Sequence, residues 1–294
     1  MKYAFYILSL FLVLLLNCDK NTGPLHPIIE EKVIFSNTIE DYRFLNNQFF
    51  FADSFYIATY ESSFDPQTME WIPPDGGLHR INKLEVWISS HPTDAYSVLG
   101  IAAVNPDTIN RDSIQYYNEI KGEIIRTYFK QLVYPKDYLF DSEKGVIRIN
   151  KSLETTHIIG VSYQTEGGLK RGIFGEEISK EQSHAVFKLV KPADLRPNYP
   201  SWELEMRNVY DIGIRNIPEK NLRIVVTYTD NAADLRIQPS NRKSFNYLLG
   251  LDRLNKDGEF IEGGDGYIDT RNENIFDLKN GLLIFPSPTP FSPP

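Results

Sequence analysis

The chain has 294 residues, a formal net charge of −8 and a single cysteine. Its basic residues do not cluster, so it lacks the Lys/Arg groups that replace counterions on phosphates, and this excludes a nucleic-acid partner. Adhesion of the body to an anionic lipid surface is disfavoured for the same reason. Because the only cysteine is Cys18, the rest of the chain can form neither a disulfide nor a thiolate metal site.

The first residues have the layout of an export signal. Lys2 precedes an apolar run, Tyr3–Leu16, which is shorter than the roughly 20 residues of a transmembrane helix. The run ends at Leu15-Leu16-Asn17-Cys18, which resembles a bacterial lipobox, although Asn17 stands where Gly, Ala or Ser is usual. In a lipobox the cysteine thiol receives a diacylglycerol, and cleavage makes this cysteine the new N-terminus. We therefore expect a lipoprotein signal peptide over residues 1–17 and lipidation of Cys18.

Two alternatives to this interpretation stay open: an ordinary secretory signal with a chance cysteine, and a short uncleaved anchor. Residues 18–31 are polar and contain Pro24 and Pro27, which predicts a flexible tether between lipid and body. Each buried lipid CH₂ contributes about 0.8 kcal/mol to membrane attachment. The expected location is extracytoplasmic and membrane-anchored. The outer membrane is favoured, because the rule that retains some lipoproteins with Asp19 at the inner membrane is enteric.

The body alternates polar and apolar residues over short segments bounded by turn residues, and 13% of the chain is aromatic, which favours strands. We predict a mainly β fold of antiparallel β-sandwich-like sheets, with a first domain over residues 32–190. The predicted strands are Lys32–Ser36, Phe55–Tyr60, Ile81–Ser89, Ser97–Val104, Val146–Ile149, Ile158–Tyr163, Leu169–Phe174, Ala185–Val190, Asn221–Thr229 and Leu282–Phe285.

One short helix is predicted over residues 201–212, in a second segment that spans 191–294 and packs on the first. Ser201 can cap it, and Glu203 and Glu205 lie in the first turn, where the helix dipole favours anions. Trp202 and Tyr210 fall on one apolar face by the i, i+4, i+7, i+8 rule, so both are expected in the core. Gly213 stands where a C-terminal cap glycine belongs.

Motifs of catalysis or metal binding are absent from the sequence. It has no Gly-x-Ser-x-Gly elbow, phosphate-binding loop or His-Glu-x-x-His, and we expect no cofactor. Its five histidines are far apart and are interpreted as surface or turn residues: His26, His79, His91, His157 and His184. The acidic, glycine-rich stretch 252–269 offers weak calcium candidates in Asp257, Asp265 and Asp269. The EF-hand register fails there, and a pair of β-turns made by Asp-Gly pairs is the alternative.

Several ordered blocks between Ile81 and Phe291 resemble the SprA family, the large outer-membrane translocons of type IX secretion and gliding motility. The clearest block runs from Trp202 to Gly213 and is similar to the family's Trp-x-Leu-x-Met-Lys-Asn-Val-Tyr-x-Leu-Gly. The residues that carry the resemblance are Trp202, Asn208, Val209, Tyr210, Gly213, Asp252, Asp257, Gly258, Phe285 and Pro286. SprA proteins are many times longer than this chain and are not usually lipoproteins. The resemblance therefore implies one module of that family, and neither a pore nor a complete channel.

Three functions follow as hypotheses. The first is a non-enzymatic lipoprotein, anchored to the membrane through Cys18, with protein partners in a surface secretion or motility assembly. The second is a carbohydrate-binding or adhesion module on a β-sandwich, in which an exposed Trp71 or Trp87 stacks on sugar rings. Trp71, beside Pro73-Pro74 in a loop, is the stronger candidate of the two. The third is an enzyme with an unrecognised carboxylate pair.

Overall fold

The computed structural model describes residues 6–14, 33–110, 117–181, 184–217, 224–229, 235–236 and 243–291. Its helices are α1 Ser54–Ser62, α2 Gly175–Glu181 and α3 Phe245–Leu248. Single 3₁₀ turns lie at Pro106–Thr108 and Trp202–Leu204. The strands are β1 Tyr6–Leu14, β2 Val33–Glu40, β3 Phe49–Phe51, β4 Phe64–Asp65, β5 Glu70–Trp71, β6 Ile81–Ser90, β7 Val98–Ala103, β8 Ile124–Gln131, β9 Tyr138–Asp141, β10 Val146–Ile149, β11 Ile159–Thr165, β12 Lys170–Arg171, β13 Ala185–Lys191, β14 Val209–Asp211, β15 Val225–Thr229, β16 Leu235–Arg236, β17 Phe276–Asp277 and β18 Leu282–Ile284.

This content confirms the predicted mainly β class. The chain divides into two compact units. The central unit comprises Asn46–Ser63 and Trp71–Met206, and the terminal unit comprises Met1–Leu45, Phe64–Glu70 and Arg207–Pro294. The sequence placed a single boundary at 190/191, whereas this division gives Lys191–Met206 to the central unit and adds earlier segments to the C-terminal residues.

The central unit is built on a sheet that closes on itself. The strands follow the order β6–β11–β13–β7–β8, and β8 pairs again with β6. All of these pairings are antiparallel except β7–β13, which is parallel. A second, three-stranded sheet has the order β3–β10–β9. Closure leaves the ring without open edges apart from the short β12, which pairs with β11.

Phe187 lies at the centre of the closed sheet. Its ring stacks on Trp87 with centroids 4.8 Å apart and meets Phe129 edge-on at 5.0 Å. Two glycines make room for it: a Cβ on Gly160 would lie 2.8 Å from the Phe187 Cβ, and one on Gly100 would lie 3.3 Å from its ring. Because glycine has no side chain at these two positions, a small closed sheet can enclose a phenylalanine.

The terminal unit contains the sheets β16–β15–β1–β2 and β14–β18–β17. Its core includes Tyr210, Leu251, Phe276, Leu283 and Phe285, all at most 1% exposed. β1 falls within the apolar run predicted as an export signal, and in the full-length chain it pairs with β2 and β15. Residues 15–32, which include Cys18 and the whole of the predicted tether, lie outside the described residues.

Most predicted strands are confirmed, but the helix predicted over 201–212 is wrong. Only Trp202–Leu204 forms a 3₁₀ turn, Ser201 makes no capping bond, and the chain is extended from Glu205 onward. Glu205 then bridges to Phe50, and β14 pairs with β18. Burial does not alternate here, since Glu205 and Val209 are buried along with Leu204, Met206, Asn208 and Tyr210, and the available strand partners decide the conformation.

The strand predicted at Phe55–Tyr60 is also wrong, because this segment belongs to helix α1. Asp53 provides the N-cap, its carboxylate accepting from the Ser54 N–H at 2.7 Å. Tyr56 and Tyr60, one helical turn apart, are the buried residues of the helix. The predicted strand at Leu169–Phe174 is reduced to the two residues of β12. None of the described helices is long and apolar enough to cross a membrane.

Candidate functional site

The family-like residues of the terminal unit form a buried frame. The Asn208 side-chain N–H₂ donates to the Phe285 carbonyl at 2.6 Å, and the Phe285 N–H donates back to the Asn208 carbonyl at 2.9 Å. The Tyr210 hydroxyl donates to the Asp41 carbonyl at 2.6 Å, and its ring meets Phe285 edge-on at 5.5 Å. Burial raises the pKa of Tyr210 well above its ordinary value. Blocks that are more than 70 residues apart in sequence are thus joined directly.

Other residues of these similar blocks take part in strand pairing, turns and close packing of the backbone. Val209 lies opposite Ile284 in the β14–β18 pair. Gly213 and Gly281 have positive φ values of 82° and 62°, which favour glycine, but the helix that Gly213 was expected to cap does not form. Pro286 is buried, and a Cβ on Gly250 would lie 3.0 Å from its ring.

The structure brings these residues together in the terminal unit, whereas Trp202 belongs to the central unit. Trp202 is half-buried, and Tyr210 is in the core as predicted.

The stretch 252–269 uses its carboxylates to hold backbone turns. The fully buried Asp252 carboxylate accepts from the Asp265 and Gly266 N–H groups at 2.9 and 3.0 Å. Asp269 accepts from the Arg253 and Leu254 N–H groups at 2.7 and 3.2 Å. Desolvation raises the pKa of Asp252 and raises that of Asp269 to about 6.

The calcium candidates do not converge on one point. Asp265 accepts from the Tyr267 N–H at 2.9 Å, and Asp257 is exposed beside the turn glycine Gly258, which has a φ of 84°. Among the described residues, no group of three or more His, Cys, Asp or Glu side chains could hold a metal ion. The geometry here favours the β-turn alternative.

A surface pocket in the central unit lies beside Trp71 and is called the Trp71 pocket. Its aromatic wall contains Phe55, Tyr60 and Trp71. The indole N–H of Trp71 donates to the Tyr60 carbonyl at 2.7 Å, and the centroids of the two side-chain rings lie 5.0 Å apart. The Lys144 ammonium lies 4.7 Å over the Trp71 ring. Tyr60 of helix α1 and Lys144, between β9 and β10, therefore hold the indole in place.

The other wall of the Trp71 pocket is a loop organised by Asp75. This carboxylate accepts from the Gly77 and His79 N–H groups at 3.2 and 3.0 Å and is paired with the His79 ring. The His79 ring stacks on Phe55 with centroids 3.8 Å apart. Burial raises the pKa of Asp75, but its bonds to His79 and the backbone outweigh this and leave it below its ordinary value.

The charged groups that line the Trp71 pocket each have an ionic partner. Arg80 pairs with Glu143 at 2.5 Å, and Lys144 pairs with Asp141 at 3.0 Å. Ser63 also lines the pocket, and its buried hydroxyl has no hydrogen-bond partner among the described residues. The pocket therefore lacks the serine–histidine hydrogen bond of an activated nucleophile, although Asp75 and His79 are paired.

Sequence reasoning found part of this pocket. It singled out Trp71 and Pro73-Pro74, but it placed Phe55 and Tyr60 on a strand and interpreted His79 only as a surface or turn residue. The spacing of Asp75 and His79 after two prolines was a usable signal for a loop held together by a carboxylate–histidine pair. The partnership of Arg80 with Glu143, 63 positions away, had no sequence signal.

Trp87 corrects one expectation. It is 4% exposed and stacks on Phe187 inside the closed sheet, so it cannot serve as an exposed platform for a sugar. Around Trp87 both sides of β6 are covered, because Val86 and Ile88 on the opposite side are also buried. The alternating pattern of the strand had suggested one exposed side.

Comparisons with known proteins leave the family unassigned. No protein-family model matches this chain. A search of curated proteins found no significant relative.

Proposed function

We propose that this protein is a non-enzymatic, membrane-anchored lipoprotein module related to the SprA translocons, acting in a surface secretion or motility assembly. The observation that carries the proposal is the order of the similar blocks, which runs from Ile81 to Phe291 rather than resting on one motif. Contacts within the terminal unit support it. Asn208, Tyr210 and Phe285 come from two of these blocks and bond to one another in its core.

The kind of residue that is shared also supports a scaffold role. The signature side chains of the terminal unit are engaged with backbone groups or packed in its core, as Asn208, Tyr210 and Asp252 illustrate. Residues used in this way specify a fold, and binding to partners then falls to the surface that the fold presents. The outer membrane is the proposed location, with protein partners in the assembly.

The proposed anchor is tested by the mass of the mature N-terminus. Cleavage before Cys18 would remove β1 and leave a lipid-modified cysteine as the first residue. Retention of the leader would keep the strand that pairs with Val33–Glu40. Mass spectrometry of the chain from its own cells should find diacylglyceryl-Cys18, and Cys18→Ser should release the protein from membranes. An unmodified N-terminal residue on the membrane-bound chain would rule out the anchor.

Assembly is tested separately, on gently solubilised membranes. The tagged full-length protein should migrate in a complex larger than itself and co-purify with outer-membrane proteins. The Cys18→Ser protein, recovered from the soluble fraction, is the matched control for tag-dependent association. A wild-type protein that elutes alone would contradict the assembly role and leave the anchor untouched.

A further inference from the structure

We propose that the Trp71 pocket binds an uncharged saccharide. The proposal goes beyond the assembly role and depends neither on the lipid anchor nor on protein partners. It gives the carbohydrate-binding alternative a location, and it excludes Trp87, which is buried. Three properties of the pocket carry it: an aromatic wall, balanced charges and an unpartnered hydroxyl.

The aromatic wall suits a ligand with an apolar face. Phe55, Tyr60 and Trp71 line one pocket, and the His79 ring stacked on Phe55 extends this surface toward the loop. Small-ligand sites combine such aromatic surface with a few fixed polar groups that set orientation. A pyranose ring presents the matching arrangement, with C–H groups on its faces and hydroxyls around its rim.

The charges of the pocket argue against an ionic ligand. Arg80 is neutralised by Glu143, Lys144 by Asp141, and His79 is held by Asp75. A phosphate, sulfate or carboxylate would have to break one of these pairs to gain an ionic partner. A guanidinium has five N–H donors and a carboxylate about four acceptor sites, so the Arg80–Glu143 pair retains capacity for ligand hydroxyls without being separated.

Ser63 supplies an independent indication. Its hydroxyl is buried in the pocket lining without any partner among the described residues. Buried hydroxyls nearly always have a partner in folded proteins, so a small side-chain shift that opens this hydroxyl to the pocket would let it bond a water or a ligand hydroxyl. The same hydroxyl can both donate and accept, as a sugar hydroxyl does.

Binding is tested with the full-length chain on an array of neutral oligosaccharides: glucans, mannans, galactans and N-acetylglucosamine oligomers. Uronate and sulfated polymers and a polyproline peptide are included as competing classes. The affinity for the strongest neutral binder is then measured by calorimetry. We expect Glu143→Ala and Ser63→Ala each to weaken it about tenfold, since each removes a hydrogen-bonding group from the pocket.

Glu176→Ala is the matched control. Glu176 pairs with Lys83 at 2.9 Å on the surface of the same unit, but it does not line the pocket, so its removal should leave the affinity unchanged. Melting temperatures of all variants separate lost binding from lost folding. The proposal is overturned by binding to nothing on the array, only to charged polymers, or only to polyproline. Neutral binding that both pocket variants retain would overturn it as well.

Discussion

Lys191 is a charged residue without any solvent exposure, and its ammonium donates to three backbone carbonyl oxygens. It donates to the carbonyls of Thr155, His157 and Pro192 at 2.9, 2.7 and 3.2 Å. Burial lowers the pKa of Lys191 to about 8, with partial compensation from Glu205 and Asp194. Lysine in an alternating strand normally indicates a solvent-facing side, so only the tertiary structure reveals this arrangement.

The depressed pKa of Lys191 predicts a pH dependence of stability. The folded state holds the proton less tightly than the unfolded state, whose lysine titrates near 10.4. The burial penalty is therefore complete below pH 8 and is relieved as the pH rises from 8 toward 10. Between pH 7 and pH 9, the unfolding free energy of the wild type should rise by about 1 kcal/mol relative to Lys191→Met.

Urea unfolding at the two pH values measures this difference, and comparison with the variant cancels the other titrating groups. Lys136→Met, at an exposed position, is the control and should track the wild type at both pH values. Equal pH dependence in the wild type and Lys191→Met would show that Lys191 carries no burial penalty.

The buried hydrogen bond of Asn208 leads to a second prediction at the residue scale. Asn208→Ala removes the 2.6 Å bond to the Phe285 carbonyl and leaves that buried oxygen with a donor missing. The unfolding free energy should fall by about 1–3 kcal/mol in urea titrations. Asn150→Ala, which removes two long contacts of 3.4 Å, to the Pro135 and Lys136 carbonyls, at an exposed residue, should cost less than about 0.5 kcal/mol. If the two substitutions have equal cost, Asn208 is not part of a structural frame.

At the scale of elements, the closed sheet depends on how closely its strands approach Phe187. Gly160 lies where the β11–β13 register shifts, and a Cβ there would come within 2.8 Å of Phe187. Gly160→Ala should lower the unfolding free energy by about 1–3 kcal/mol through overpacking. Differential scanning calorimetry of the single and double variants checks both the cost and its cause.

The expected destabilisation by Gly160→Ala comes from one neighbour, Phe187. A smaller side chain at position 187 should therefore reduce the overpacking. Gly160→Ala combined with Phe187→Ala should cost less than the sum of the two single substitutions, because alanine removes the Phe187 Cγ and Cδ2 atoms, which a Cβ at position 160 would meet at 3.3 and 3.5 Å. Additive costs would place the strain somewhere other than at Phe187.

Some strands can be predicted from the local sequence pattern alone. Ile81–Ser90, Val98–Ala103 and Ala185–Lys191 are strands as predicted, because β-branched or alternating apolar residues leave few other ways to bury their side chains. Residues 54–62 and 201–212 carry patterns compatible with both helix and strand. Asp53 decides the first through its cap, and the second becomes extended because Phe50 and β18 offer pairing partners.

At the scale of the whole molecule, the two units differ in how their chain segments are arranged. The central unit is nearly continuous, whereas the terminal unit combines segments from both ends of the chain. A fragment of residues 46–206 contains every strand of the closed sheet. A fragment of residues 207–294 lacks Asp41 and Phe44, the partners of Tyr210.

Because only the first fragment contains all the pairing partners of its residues, we expect the first to fold and the second not to fold. The 46–206 fragment should fold alone, because its ring needs no strand from elsewhere, and its amide resonances should be well dispersed in a proton–nitrogen correlation spectrum. The 207–294 fragment should give a collapsed spectrum, since Tyr210 loses its hydroxyl acceptor and its bridge to Phe44. A dispersed spectrum for 207–294 would show that residues 33–45 are dispensable.

The sequence by itself determined the β class, most strands of the central unit and the turn glycines, because these depend on local alternation and on φ values that other residues avoid. Lipidation of Cys18 and the kinship to secretion translocons remain predictions from motifs. Only the tertiary structure decided that the sheet closes around Phe187, that Trp87 and Lys191 are buried, and that α1, Asp75 and Glu143 meet around Trp71. Each of these depends on contacts between residues far apart in the chain, whose energies no local pattern encodes.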